Sequence, residues 1–202
     1  MTGAASLSTL TRSHLENFID TLEGLPPEQW LAPSLCSEWR AIDVAAHLAW
    51  APVLGAGAGA VAMARHGFSM NRMIARCAIA WSARGQAAIL GQLRENARSG
   101  ARPIGMPPVA ALADAVVHGL DVRVPLGLHR AVDPEAFRLI ADWTVTSRWP
   151  MTVPVGGNLR KRLRGTRLVA IDANWAWGEG AEVREPADKI LLRLLGRNPG
   201  SR

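Results

Sequence analysis

Apolar residues Leu7, Leu10, Phe18, Leu22 and Leu25 fall in helical register along the first 25 positions, and Gly24-Leu25-Pro26-Pro27 supplies a stop. A second helix is predicted to begin near Arg40, with Asp43 in its first turn, where a negative charge meets the positive end of the helix dipole. It should run to about Arg65 with a bend at Pro52, because an internal proline removes a backbone donor and crowds the preceding turn. A third helical region spans about Asn71 to Arg98 with an interruption near Gly85. A fourth starts near Pro108, reads VAALADAVVHGLDVRV and ends before Pro125. Four helices with short connections predict an up-and-down bundle.

A fifth helix is predicted from Asp133 to Trp149, opening with Asp-Pro-Glu, a capping residue followed by proline at the first helical position. Its residues Phe137, Ile140 and Ala141 share one face. Beyond it the period changes: TRLVAIDANWAWG alternates apolar and polar positions as a strand does, and ADKILLRLLGR reads as a final helix. The expected fold is therefore mainly α, a four-helix bundle over 1–128 followed by a small α+β domain over 129–202.

Composition narrows the function classes. Between Val44 and Ala64 there is no Asp, Glu, Lys or Arg, a length that can span a bilayer. The stretch is mostly Ala and Gly and contains His47 and Pro52, so it predicts a small-residue helix packed closely within a bundle, with no membrane span. Its run Val53-Leu54-Gly55-Ala56-Gly57-Ala58-Gly59-Ala60 superficially matches a dinucleotide turn. No strand precedes it and no acid lies between Asp43 and Glu95, which removes that reading.

The chain carries 23 basic against 17 acidic residues, and the surplus falls in residues 101–202, with 15 against 10. The run Arg160, Lys161, Arg162, Arg164, Arg167 lacks interleaved aromatics, so it reads as a solvated face or a patch against acidic side chains, and nucleic acid is not favoured. Two cysteines, Cys36 and Cys77, without metal-binding spacing, exclude a disulfide scaffold and a thiolate zinc finger. Together with an N-terminus lacking a basic segment and an apolar run, they predict a cytoplasmic protein. Cys36, among apolar and aromatic neighbours, is expected to pack rather than react.

The informative polar residues lie on helices two and four. Asp114 and His118 are four apart, which places carboxylate and imidazole on one helix face, and Asp121 follows three positions on. His47 likewise interrupts the apolar stretch of helix two. Helix bundles build metal sites from such inward-facing side chains, and two imidazoles with one carboxylate suit zinc or another divalent cation. Spacing alone leaves a second reading open, a core histidine hydrogen-bonded to aspartate.

The string PSLCSEWRAIDVAAHLAW resembles the helix-two signature of the mycothiol-dependent maleylpyruvate isomerase family, whose N-terminal half is a DinB-like metal-binding four-helix bundle. LADAVVHGLDVRVPLGL resembles the helix-four signature of its actinobacterial relatives, and LRGTRLVAIDANWAWGEGAEVREPADKILLRLLGR is similar to their small, sterol-carrier-like C-terminal domain. The resemblance implies His47, Asp114 and His118 as metal ligands and Asp121 as a carboxylate that orients a ligand from behind or takes part directly. It implies zinc as the cofactor and mycothiol as the cosubstrate, with the thiol adding to a small electrophile for cis–trans isomerisation or S-transfer. Arg197, with Arg184 behind it, is the implied anchor for an anionic substrate. The characterised isomerase branch has Glu where this chain has Asp114. A non-catalytic protein that holds a small ligand or partner is the alternative expectation, and either form would be a monomer or a homodimer.

Overall fold

The computed structural model describes residues 2–148, 151–152 and 157–197. The chain divides into two compact units, Met1–His129 and Arg130–Arg202. The first is built from α1 (Thr2–Glu23), α2 (Ala41–Trp50), α3 (Ala56–Arg65), α4 (Met70–Ser82), α5 (Gln86–Ser99) and α6 (Pro108–Arg123). Helices α1 and α2 each pack against both α5 and α6, and α4 lies against α2. Phe18 and Leu22 of α1, Val44 and Ala45 of α2, Ile89 and Leu93 of α5 and Trp30 of the intervening 3-10 turn are removed from water and form the core.

Helix α2 starts where its first turn predicts. The Asp43 carboxylate accepts the Arg40 backbone N–H at 3.0 Å and a two-point contact from the Arg40 guanidinium at 2.9 and 3.0 Å. Burial works to raise the Asp43 pKa, but these bonds and the Ser82 hydroxyl outweigh it and hold the carboxyl below its usual range.

Two expectations for this region are corrected. The chain does not bend through Pro52 but breaks there: α2 ends at Trp50, Ala51–Val53 form a 3-10 turn, and Leu54 and Gly55 are extended before α3 begins. Pro52 has no N–H to give the Leu48 carbonyl four residues earlier. The buried Asn96 side chain of α5 donates instead to Leu48 at 3.1 Å and to Ala49 at 2.9 Å, while Gln92 donates to its amide oxygen. The second correction follows from the first. Because the break starts a new helix, the Gly-Ala run is not packed closely in the bundle; α3 touches α4, yet none of its residues is buried. No helix among the described residues is long and apolar enough to cross a membrane.

The second unit holds α7 (Pro134–Thr146), α8 (Leu159–Arg162), β1 (Thr166–Ala170), β2 (Trp175–Gly178), β3 (Ala181–Glu185) and α9 (Ala187–Leu194). Asp133 caps α7 by accepting the backbone N–H groups of Glu135 and Ala136, both at 2.9 Å. Phe137, Ile140 and Ala141 are buried, as their shared face predicts, whereas Trp149 lies outside the described residues. The sheet order is β2-β1-β3, with β1 antiparallel to β2 and parallel to β3. Sequence alternation indicates β1 and β2 but not β3, whose burial is too slight for a clear period.

To pass from one side of β1 to the other, the chain crosses the start of that strand through Gly178-Glu179-Gly180. Gly178 and Gly180 have φ of 89° and 117°, and a Cβ on either would run into the backbone oxygens of Thr166 and Gly165 respectively. The basic run is partly consumed by this unit: Arg162 donates to the carbonyls of Arg193 and Leu194 at the end of α9, and Arg167 pairs with Glu182 at 3.4 Å.

Candidate metal centre

Three residues expected to share one ligand are brought together. His47 faces inward from the last turn of α2, and Asp114 and His118 project from successive turns of α6. One ligand atom from each lies within 4.8 Å of the others. The two imidazole rings meet edge to face, with centroids 4.9 Å apart. Both histidines are buried and Asp114 is half-buried, so the donor set is shielded from water on its histidine side.

Asp121, one turn beyond His118, is fully buried, and its Oδ2 lies 2.9 Å from His118 Nδ1. That bond occupies Nδ1 and leaves Nε2 as the nitrogen available to a cation. Burial works to lower the His118 pKa, but the hydrogen bonds to Asp121 and Cys36 and the nearby negative charge push it up to about 10.

The segment from Pro33 to Arg40 supplies two residues that sequence reading did not assign to the centre. Ser34 holds this loop by donating to the Trp39 carbonyl at 2.8 Å and accepting from the Cys36 N–H at 3.1 Å. A bridge between Pro33 and Arg40 closes it. Trp39 then lies against both imidazoles, its ring 5.2 Å from that of His47 and 5.9 Å from that of His118. Cys36 is half-buried, in keeping with a packing role, and makes polar contacts besides. Its thiol donates to Asp121 Oδ2 at 3.1 Å and lies 3.9 Å from His118 Nδ1, so Cys36, His118 and Asp121 form a second close donor cluster. Local sequence carries no signal for this contact, because its partners are more than eighty residues away.

Arg197 follows α9 in the second unit and donates to the Leu195 carbonyl at 2.9 Å; Arg184, on β3, pairs with Glu182 at 3.3 Å. Each arginine thus has a local partner within its own unit.

No curated protein and no solved structure matches the chain. A family model does match, over residues 11–123, more than half of the chain and the span that contains His47, Asp114 and His118. By that match the chain belongs to the mycothiol maleylpyruvate isomerase N-terminal domain family.

Proposed function

We propose that His47, Asp114 and His118 hold a divalent cation, zinc by the character of the donors, and that the protein uses it to activate mycothiol toward a small electrophile. The observation that carries this reading is the convergence of two imidazoles and a carboxylate from two helices within 4.8 Å. The donor set fits such an ion: two neutral nitrogens and one carboxylate oxygen match zinc's ligand preference and leave a position open. A cation bound there supplies a net positive charge that favours the thiolate form of a low-molecular-weight thiol at neutral pH.

The chain's own residues prepare that environment. Asp121 fixes the His118 ring and its tautomer, and a cation at Nε2 would have to displace a proton from an imidazole that Asp121 and Cys36 keep charged in spite of its burial. Trp39 covers both rings and excludes water from that side, while the half-buried Asp114 leaves an approach for small molecules. Arg197, with Arg184 as second choice, is the proposed anchor for an anionic substrate, on the strength of the family resemblance. The reaction is cis–trans isomerisation or S-transfer in the cytoplasm, where the free thiols Cys36 and Cys77 stay reduced. The shorter carboxylate of Asp114 favours a second reading, in which a metal-containing protein binds a small ligand without turnover.

Elemental mass spectrometry on untagged protein tests the centre. About one zinc per chain in the wild type, lost in both His47→Ala and His118→Ala, is the expected result. No metal after reconstitution with zinc would refute the reading. Thiol consumption with a panel of electrophiles then separates the two functions, since stoichiometric retention of a ligand without turnover identifies the binder.

A further inference from the structure

We infer that Cys36 is a positioning residue of this centre: its thiol holds the Asp121 carboxylate in the orientation in which that carboxylate grips His118 Nδ1. The inference rests on the metal reading of His47, Asp114 and His118. Three observations carry it. Asp121 Oδ2 is a shared acceptor, 3.1 Å from Cys36 Sγ and 2.9 Å from His118 Nδ1. Asp121 is fully removed from water, so its orientation is set by protein donors. The thiol's place is fixed rather than incidental, because Ser34 clasps the loop and the Leu35 N–H donates to the Asp121 backbone carbonyl at 2.9 Å.

The geometry favours this role over direct metal ligation. The sulfur faces the same imidazole nitrogen that Asp121 occupies, so bringing a cation to Cys36, His118 and Asp121 together would break the bond between the last two. With the thiol removed, Oδ2 keeps the imidazole but loses the donor that sets its rotation. His118 then samples other ring orientations before it binds a cation.

The test uses the full chain, with cobalt(II) as the probe, in the wild type, Cys36→Ala and Cys36→Ser, each checked for fold by circular dichroism. Cys36→Ala is expected to weaken cobalt binding about tenfold, the lower end of the range for groups that orient a ligand, and to shift the visible absorption bands. Cys36→Ser keeps a donor and is expected to restore both. Equal affinity and spectra in the wild type and Cys36→Ala would overturn the role, as would a serine variant no better than alanine. A sulfur-to-cobalt charge-transfer band in the wild type would overturn it too, by making Cys36 a ligand.

Proton NMR of the metal-free proteins separates this inference from the metal reading. The downfield resonance of the His118 N–H bonded to Asp121 should broaden or vanish in Cys36→Ala and return in Cys36→Ser. If wild-type protein takes up no cobalt, the metal reading falls, and this resonance alone decides the hold on His118. An unchanged resonance in Cys36→Ala refutes that hold.

Discussion

The Asp43 carboxylate grips Arg40 at two points while capping the backbone N–H of the same residue, and it does so one helical turn before His47. The pair therefore fixes both where α2 begins and the rotation at which it presents its imidazole. Asp43 is 2% exposed and Arg40 46%, so the carboxylate is the partner that cannot fall back on water.

The sign of its pH dependence follows from the lowered pKa. An Asp43 carboxyl held below its unfolded value, near 3.9, contributes stability that is present above that value and is lost as pH falls through the folded one. Asp43→Asn is expected to cost about 1–2 kcal/mol at pH 7, after allowance for solvent screening at Arg40, with a smaller difference from the wild type at pH 3. Urea unfolding at the two pH values measures this, and a gap that widens on acidification would contradict it.

Asn96 replaces the donor that Pro52 lacks. Asn96→Leu should leave the Leu48 and Ala49 carbonyls buried without that side-chain donor and destabilise the first unit by about 2–4 kcal/mol, from the usual cost of unmet buried acceptors. Thermal unfolding reads the loss. A variant as stable as the wild type would mean that the end of α2 does not depend on this amide.

Gly180 and Gly127 both have positive φ, but only the first faces an obstruction. Gly127→Ala should cost about 1 kcal/mol, the ordinary penalty for a left-handed residue, whereas Gly180→Ala should cost about 3 kcal/mol or more, because the crossing over β1 has no room for a methyl group. Equal effects in denaturant titrations would show that the strand crossing yields easily.

The length of the carboxylate at position 114 can be varied directly. Asp114→Glu is expected to keep metal near the wild-type content, and Asp114→Asn to bind at least tenfold more weakly, because a neutral amide removes the only anionic donor of the trio. Isothermal titration with zinc distinguishes the two, and an unimpaired Asn variant would remove Asp114 from the ligand set.

Helix positions in the first unit were legible because the apolar stripes of α1, α5 and α6 repeat over several turns and end in Gly or Pro. His47, Asp114 and His118 stood out individually as polar residues in otherwise apolar helices, but spacing left a core histidine–aspartate pair equally open, and their grouping as one ligand set was what the family resemblance implied. Cys36 and Trp39 did not stand out, since a loop fixed by Ser34 has no period and its contacts with α6 are distant in sequence. The Gly-Ala run misled because small side chains suit both close packing and open exposure. Pro52 decided between them, by breaking the helix rather than bending it.

That break has a consequence for how the protein breathes. A helix that contributes no buried side chain forfeits little when its hydrogen bonds open, so α3 should exchange its amide protons through local fraying. The neighbouring α2 and α6 carry the core and the centre, and their amides should exchange only when the bundle itself opens. The first unit thus combines a slowly exchanging frame around His47 and His118 with a segment that can melt and reform without disturbing them.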